Sequence, residues 1–327
     1  MRVIDIHNHY YPPEYLNALE PLGSSIKVVM GADGNPQVHY PGDYNILVPG
    51  HRDLAYRESV LSELGIDLQV ISLTTPGTHV EKPDVAVKLA QIVNDAFAAA
   101  VERPSKRFVA FATLPLCDPK ASAIEFIRAM DQLKMPGAML FSNVNGVGLD
   151  DERFWPIYEA ANDRDAVLMI HPEYPVGVEA MTEYWLMPLN GFLFDTTLAA
   201  SKLVFSGVVK RFPRIRWSLG HLGGTIPYLA ERLDRGFRAF KECRTHIDEL
   251  PTTYLKRHFY YDTVNFSQHA LKCAIEFAGA DHIVAGSDYP HQIGSIPLML
   301  EAIHALPIST ADREAIFGGT LAGLLRV

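Results

Sequence analysis

Cysteine is scarce. Cys117, Cys243 and Cys273 are the only three in 327 residues, widely spaced and without a CxxC pair. Isolated thiols in odd number build neither a disulfide framework nor a thiolate zinc or iron–sulfur site. Long apolar runs are also missing: no stretch of about eighteen apolar residues occurs, so nothing reads as a membrane-spanning helix. The N-terminus reads as a strand rather than a basic region followed by an apolar signal segment, and the cytoplasm is the expected location. Positive charge is in deficit, with 29 Lys and Arg against 38 Asp and Glu and a formal net charge of −9. That balance leaves no basic footprint for nucleic acid and favours a small-molecule partner. Linkers, low-complexity segments and repeats longer than a βα unit are absent, so residues 1–327 are expected to form a single domain.

What is present is a periodic apolar pattern. Hydrophobic residues make up 48% of the chain, enough to bury a large core. Short β-branched runs begin at residues 3, 68, 108, 137, 166, 215, 259 and 283, from VIDIH to IVAGSD, and amphipathic stretches separate them. Eight strands alternating with helices predict an α/β fold, a (β/α)8 TIM barrel, with a doubly wound open sheet as the competing arrangement. Two connections exceed plain barrel loops. Residues 10–51 contain KVVMGADGNPQVHY, in which Ala32-Asp33-Gly34-Asn35 reads as a hairpin turn. Residues 172–191, after the fifth strand, are rich in aromatics, Met and Pro. Both follow strands, which on a barrel puts a small rim insertion and a lid-like insertion at the C-terminal face.

Histidine is the unusual feature, at thirteen residues. His7 and His9, in VIDIHNHYYPPEY, point to one face of an extended strand. His171, His221 and Asp288 end the fifth, sixth and eighth strands. Any one strand-end histidine is more often a core or capping residue, but all five would meet at one mouth. Imidazoles with a carboxylate suit one divalent ion, zinc first, with manganese or iron where water widens the shell. Other residues carry two readings each. His291 in SDYPHQIG is a substrate ligand or a solvated loop residue; His51 and Arg52 meet an acidic substrate or open a helix; His79 follows the second strand as a weaker pocket candidate. The Gly pair at 223–224 reads as close packing, not a phosphate loop. Apolar YWLMPLNGFLF points to a lid or to the interface of a homodimer or higher homo-oligomer.

IDIHNH, MIHPEYP, SLGHLGGTIPYLAERLDRGF and IVAGSDYPH, in this order and spacing, resemble the amidohydrolase superfamily, in the branch of aminocarboxymuconate-semialdehyde decarboxylase and γ-resorcylate decarboxylase. The similarity runs over nearly the whole chain and includes RFVAFATLPLCDP, YWLMPLNGFLFDTT and REAIFGGTLAGLL. It implies metal ligands at His7, His9, His171 and Asp288 without a bridging lysine, and catalytic roles for His221 and Asp288. Arg232 matches an arginine that reaches the substrate carboxylate of a neighbouring subunit; its other reading is a surface ion pair with Glu231 or Asp234. Arg52 and Arg57 lie near the family's N-terminal substrate arginine, and Arg52 is taken as the substrate ligand. The HxH opening resembles the aminocarboxymuconate type, while loss of a pocket tryptophan near Pro188 implies a different substrate.

The activity so implied is metal-dependent, non-oxidative decarboxylation of an aromatic or unsaturated ring-cleavage acid. Losing CO₂ leaves a carbanion unless the carbon is protonated first, so such a site must hold a carboxylate, supply a proton and stabilise an enol or phenolate. A divalent metal does the last, and His221 is the natural proton carrier, since histidine is the side chain most often used for general acid–base work. The same parts suit hydrolysis of a lactone or amide, or hydration of an unsaturated acid; a non-catalytic metal-stabilised binding protein is the third reading.

Overall fold

The computed structural model describes residues 1–327. In chain order the strands are β1 (Ile4–His9), β2 (Lys27–Met30), β3 (Pro36–Tyr40), β4 (Asp43–Ile46), β5 (Leu68–Ser72), β6 (Phe108–Ala110), β7 (Gly137–Phe141), β8 (Asn143–Val144), β9 (Val147–Gly148), β10 (Val167–His171), β11 (Arg216–Leu219), β12 (Phe259–Asp262) and β13 (Ile283–Val284). The runs read from the sequence became β1, β5, β6, β7, β10, β11, β12 and β13. They pair in parallel in the orders β1-β5-β6 and β7-β10-β11-β12-β13. Two parallel bridges, Ala112 to Ala138 and Asn8 to Tyr289, join these groups into a ring. At the second seam Ile6 N donates to Ala285 O at 3.0 Å and His9 N to Tyr289 O at 2.8 Å. No edge is left unpaired at these seams, so the sheet is a closed (β/α)8 barrel and not an open doubly wound sheet.

Parallel strands covered by helices bury both faces and therefore read as continuous apolar runs; β1, β5, β7 and β10 are buried at every residue. Helix boundaries follow local chemistry. Asp53 accepts from Ala55 N and Tyr56 N to cap Leu54–Leu64, and Gly65 ends that helix at φ 70°. Asp118 caps Pro119–Asp131 in the same way. A cluster of 77 buried hydrophobic residues joins barrel and helices. None of the helices is long and apolar enough to cross a membrane.

The structure departs from the periodic reading in three places. The expected hairpin turn at residues 32–35 is present, joining β2 to β3 with Met30 opposite Pro36, but a third antiparallel strand, β4, extends it; DYNI of β4 has too little β-branched character to announce itself. Helices Pro13–Leu19 and Pro251–His258, of 7 and 8 residues, are too short to display an apolar period. Both insertions reach the mouth of the barrel, where Asp43 and His51 from the first, and Trp185 and Pro188 from the second, line one pocket.

Candidate metal centre and pocket

β1 carries one more residue than β5 between Asp5 and Asn8, a bulge of the kind that re-aims side chains beside active sites. Below it, the Asp5 carboxylate accepts from Ser287 N at 3.0 Å, Ser287 Oγ at 2.6 Å and Gln69 Nε2 at 2.8 Å. Burial pushes Asp5 up to about 6. These bonds hold the segment after β13 against β1, and Asp288 N donates to His7 O at 2.7 Å. The approach is so close that a Cβ at Gly286 would lie 2.9 Å from His7 Cβ and 3.0 Å from Asp262 Cβ. Asp288, His221 and Leu222 all adopt left-handed backbone, at φ 57°, 52° and 57°. Such strain in non-glycine residues persists only where surrounding contacts enforce it, and it clusters at functional sites.

One donor atom from each of His7, His9, His171 and Asp288 lies within 4.8 Å of the others. Asp288 Oδ1 is 3.4 Å from His7 Nε2 and 3.2 Å from His9 Nε2, yet all three atoms are buried without a hydrogen-bond partner. The opposite ring nitrogens are engaged. His7 Nδ1 donates to Asp262 Oδ2 at 2.5 Å, His171 Nδ1 donates to Pro172 O at 2.6 Å, and His9 Nδ1 lies 3.3 Å from Ser72 Oγ. Engaging one nitrogen fixes each ring and leaves the other to face a common centre. Orphaned buried polar atoms are unfavourable unless something binds them. Three nitrogens and one oxygen in this arrangement fit a single divalent metal ion.

Electrostatics agrees with that reading. Burial, reinforced by the neighbouring imidazoles, holds His9 and His171 well below the usual histidine range, in the neutral form that binds metal. For His7 burial opposes the charge, but Asp262, Asp288 and Asp5 outweigh it and push the ring up, so a metal must compete with a proton there. Burial also opposes charge on Asp288, yet His221, His7 and His9 outweigh it and hold the carboxyl well below its usual range.

Asp262 is the functional residue that sequence reasoning missed. Besides His7 Nδ1, its carboxylate accepts from His221 N at 3.1 Å, Leu222 N at 2.9 Å and Val264 N at 2.9 Å. It couples a metal-facing ring on β1 to the strained turn after β11. The only signal was an aspartate closing the seventh strand. His221 stands beside the donor cluster and not in it: its Nε2 is 3.6 Å from Asp288 Oδ2, and its Nδ1 is buried without a partner.

The remaining candidates separate. His51 and His291 line the pocket, and the His291 ring centroid is 5.0 Å from that of His9. Arg52 is not among the residues lining the pocket, and its Nε donates to Leu47 O at 3.1 Å. Arg57 is buried behind His9, bonded to Asn8 Oδ1 at 2.7 Å, Gln69 Oε1 at 2.9 Å and the His9 carbonyl. Arg232 is exposed on helix Ile226–Ala239 and lies outside the pocket. It forms neither expected ion pair: Glu231 takes Arg235 at 3.1 Å, and Asp234 accepts from Thr252 Oγ1 at 2.8 Å. His79 is buried 3.3 Å from Glu173. The expected loss of a pocket tryptophan near Pro188 is corrected, since Trp185 lines the cavity beside that proline. The cavity is about 300 Å³ and has no lysine or arginine in its wall.

Fold and site together define a barrel enzyme whose strand ends gather the donors for one divalent metal. More particularly, the amidohydrolase family model matches residues 4–327, and the chain belongs to that family. It is 31% identical to the 2-amino-3-carboxymuconate-6-semialdehyde decarboxylase of Dictyostelium discoideum over 97% of this chain and 89% of the relative. Its structure matches 5-carboxyvanillate decarboxylase from Sphingomonas paucimobilis with a TM-score of 0.88 at 26% identity, covering 100% of this chain and 99% of the other. A dihydroxybenzoic acid decarboxylase from Polaromonas sp. JS666, solved with manganese and the inhibitor 2-nitroresorcinol, matches with a TM-score of 0.84 at 25% identity over 99% of this chain and 97% of the other.

Proposed function

We propose that the protein is a cytoplasmic, metal-dependent, non-oxidative decarboxylase of an aromatic or unsaturated ring-cleavage carboxylic acid. The observation that carries this reading is the convergence of unpartnered His7 Nε2, His9 Nε2 and Asp288 Oδ1 beside a cavity of about 300 Å³, a size suited to a small ligand. The reactions named for the similar proteins support it. His7, His9, His171 and Asp288 hold the ion. Zinc suits these donors, and manganese, which the Polaromonas relative contains, or iron suits the same set. When bound, the metal supplies Lewis-acid stabilisation of an enolate or phenolate oxygen.

The chain's own residues do the rest. His221 Nε2, 3.6 Å from Asp288 Oδ2, holds the proton that passes to the carbon losing CO₂, and Asp262 keeps the His221 backbone in place. Proton delivery precedes C–C cleavage, which avoids a free carbanion. Asp288 serves both tasks, with Oδ1 among the metal donors and Oδ2 toward His221. His291 contacts the substrate next to His9. The rim insertion 10–51 and the lid-like insertion 172–191 exclude water above the reacting carbon, and the chain acts as one domain. Arg52 is left out of the substrate site. Arg232, exposed and unpaired, serves a substrate bound in a second copy, which makes the working unit a homodimer or higher homo-oligomer.

The test is CO₂ release by the metal-loaded protein from dihydroxybenzoates, vanillate-type acids and muconate semialdehydes. Release from at least one class is expected. Turnover of a lactone, an amide or an unsaturated acid without CO₂ would replace this reading with a hydrolase or a hydratase.

A further inference from the structure

A second group of imidazoles, His51 and His291, adjoins the metal donors. His51 is 1% exposed and lines the pocket, and neither of its ring nitrogens has a partner. Its ring centroid lies 5.0 Å from that of His291, which lies 5.0 Å from that of His9. The three rings therefore form a chain of neighbours from one metal donor, His9, to two residues that line the cavity.

The backbone under His51 is fixed. Tyr11 N donates to His51 O at 2.7 Å, His51 N to Val48 O at 2.8 Å, and Arg57 Nε to Gly50 O at 3.1 Å. Tyr11 also packs edge-on against the ring, with centroids 5.8 Å apart. The fold thus orients an imidazole and satisfies neither nitrogen, although unpartnered buried polar atoms are unfavourable and rare. A ligand is the natural partner. A neutral imidazole offers one donor and one acceptor, which suits a hydroxyl. A second carboxylate is disfavoured in this pocket, whose lining contains Asp33 and Asp43 and no lysine or arginine of the same copy, while Arg232 of a second copy is taken up by the first carboxylate.

We propose that His51, with His291, forms a specificity subsite that hydrogen-bonds an uncharged hydroxyl on the substrate edge remote from the metal. The protein then prefers hydroxylated monocarboxylic acids to dicarboxylic ones. This rests on the decarboxylase reading for the placement of the substrate, but recognition is measured apart from chemistry. A site built to bond a hydroxyl discriminates strongly against the analogue that lacks it, because its buried polar groups are then left unpaired.

The test is calorimetric titration of the metal-loaded protein with salicylate, its dihydroxybenzoate isomers and 4-hydroxyisophthalate. At least one dihydroxy isomer should bind at least about ten-fold more tightly than salicylate, and the dicarboxylate should bind more weakly than that isomer. His51→Leu should collapse this margin to within about three-fold with metal content unchanged, and His51→Gln, which keeps a donor and an acceptor, should restore part of it. Four outcomes overturn the proposal: no margin in the wild type, a margin that survives His51→Leu, equal weakening of all acids in both variants, or a dicarboxylate bound best. CO₂ release is scored on the same samples. A margin without CO₂ refutes the decarboxylase reading and keeps the subsite; CO₂ without a margin does the reverse.

Discussion

His7 Nδ1 donates to the Asp262 carboxylate at 2.5 Å, and the same carboxylate accepts His221 N at 3.1 Å. One side chain on β12 therefore sets both a metal-facing ring and the backbone of the proposed proton carrier. Asp262→Asn should lower metal affinity about 10–100-fold, the usual effect of losing such a support. Turnover at saturating metal should fall as well, because the turn at His221 loses its anchor. Competitive metal titration with saturating-metal kinetics checks both, and unchanged affinity would contradict the role given to Asp262.

Ligand and proton carrier should come apart on mutation. His7→Ala and His171→Ala each remove one of the converging nitrogens and should purify folded, with little metal and no activity. His221→Ala should keep its metal while turnover falls by at least about 10²-fold, the lower end of what general acid–base catalysis contributes. Elemental analysis beside kinetics decides. Metal loss in His221→Ala would make it a ligand, and full metal in the other two would remove them from the donor set.

How much of this was legible depended on where the information lies in the chain. His7 and His9 were readable because two residues apart on a strand means one face. His171, His221 and Asp288 were readable because each ends an apolar run. Asp262 was not, since its bond to His7 spans a sequence separation of 255 and nothing local marks it. The arginines show the same limit from the other side: Arg52 and Arg57 sit on adjacent helical segments with similar surroundings in sequence. Only the fold shows one captured by the Leu47 carbonyl and the other buried behind His9. Trp185 was overlooked because its insertion lacks a regular period, so no face could be assigned to it.

Arg232 offers a test across subunits. Arg232→Ala should weaken substrate binding and leave metal content unchanged, as expected for loss of a carboxylate clamp. Mixing inactive His221→Ala subunits with Arg232→Ala subunits should restore part of the activity, because one of the two sites then has both residues. No recovery in verified mixed oligomers would confine Arg232 to the surface of its own subunit.

His258, at the end of helix Pro251–His258, predicts an acid-sensitive fold. Burial, with Arg257 and Arg216 nearby, pushes it down to about 4. The unfolded chain then takes up a proton at a pH where the folded chain does not, so this contribution is present above about 6.5 and lost as pH falls toward 4. Discounted for partial solvent access, it amounts to about 1–3 kcal/mol. Chemical denaturation at both ends of that range should show a smaller pH dependence for His258→Gln than for wild type; identical pH dependence would contradict the assignment.

In the proposed reaction a proton replaces CO₂ on the same carbon. Running the metal-loaded protein on its best substrate in D₂O and analysing the product by NMR tests this most directly. One CO₂ released per turnover and one solvent-derived deuterium on the carbon that carried the carboxylate are expected, with both slowed together in His221→Ala. Turnover without CO₂, or a product with no deuterium at that carbon, would contradict it.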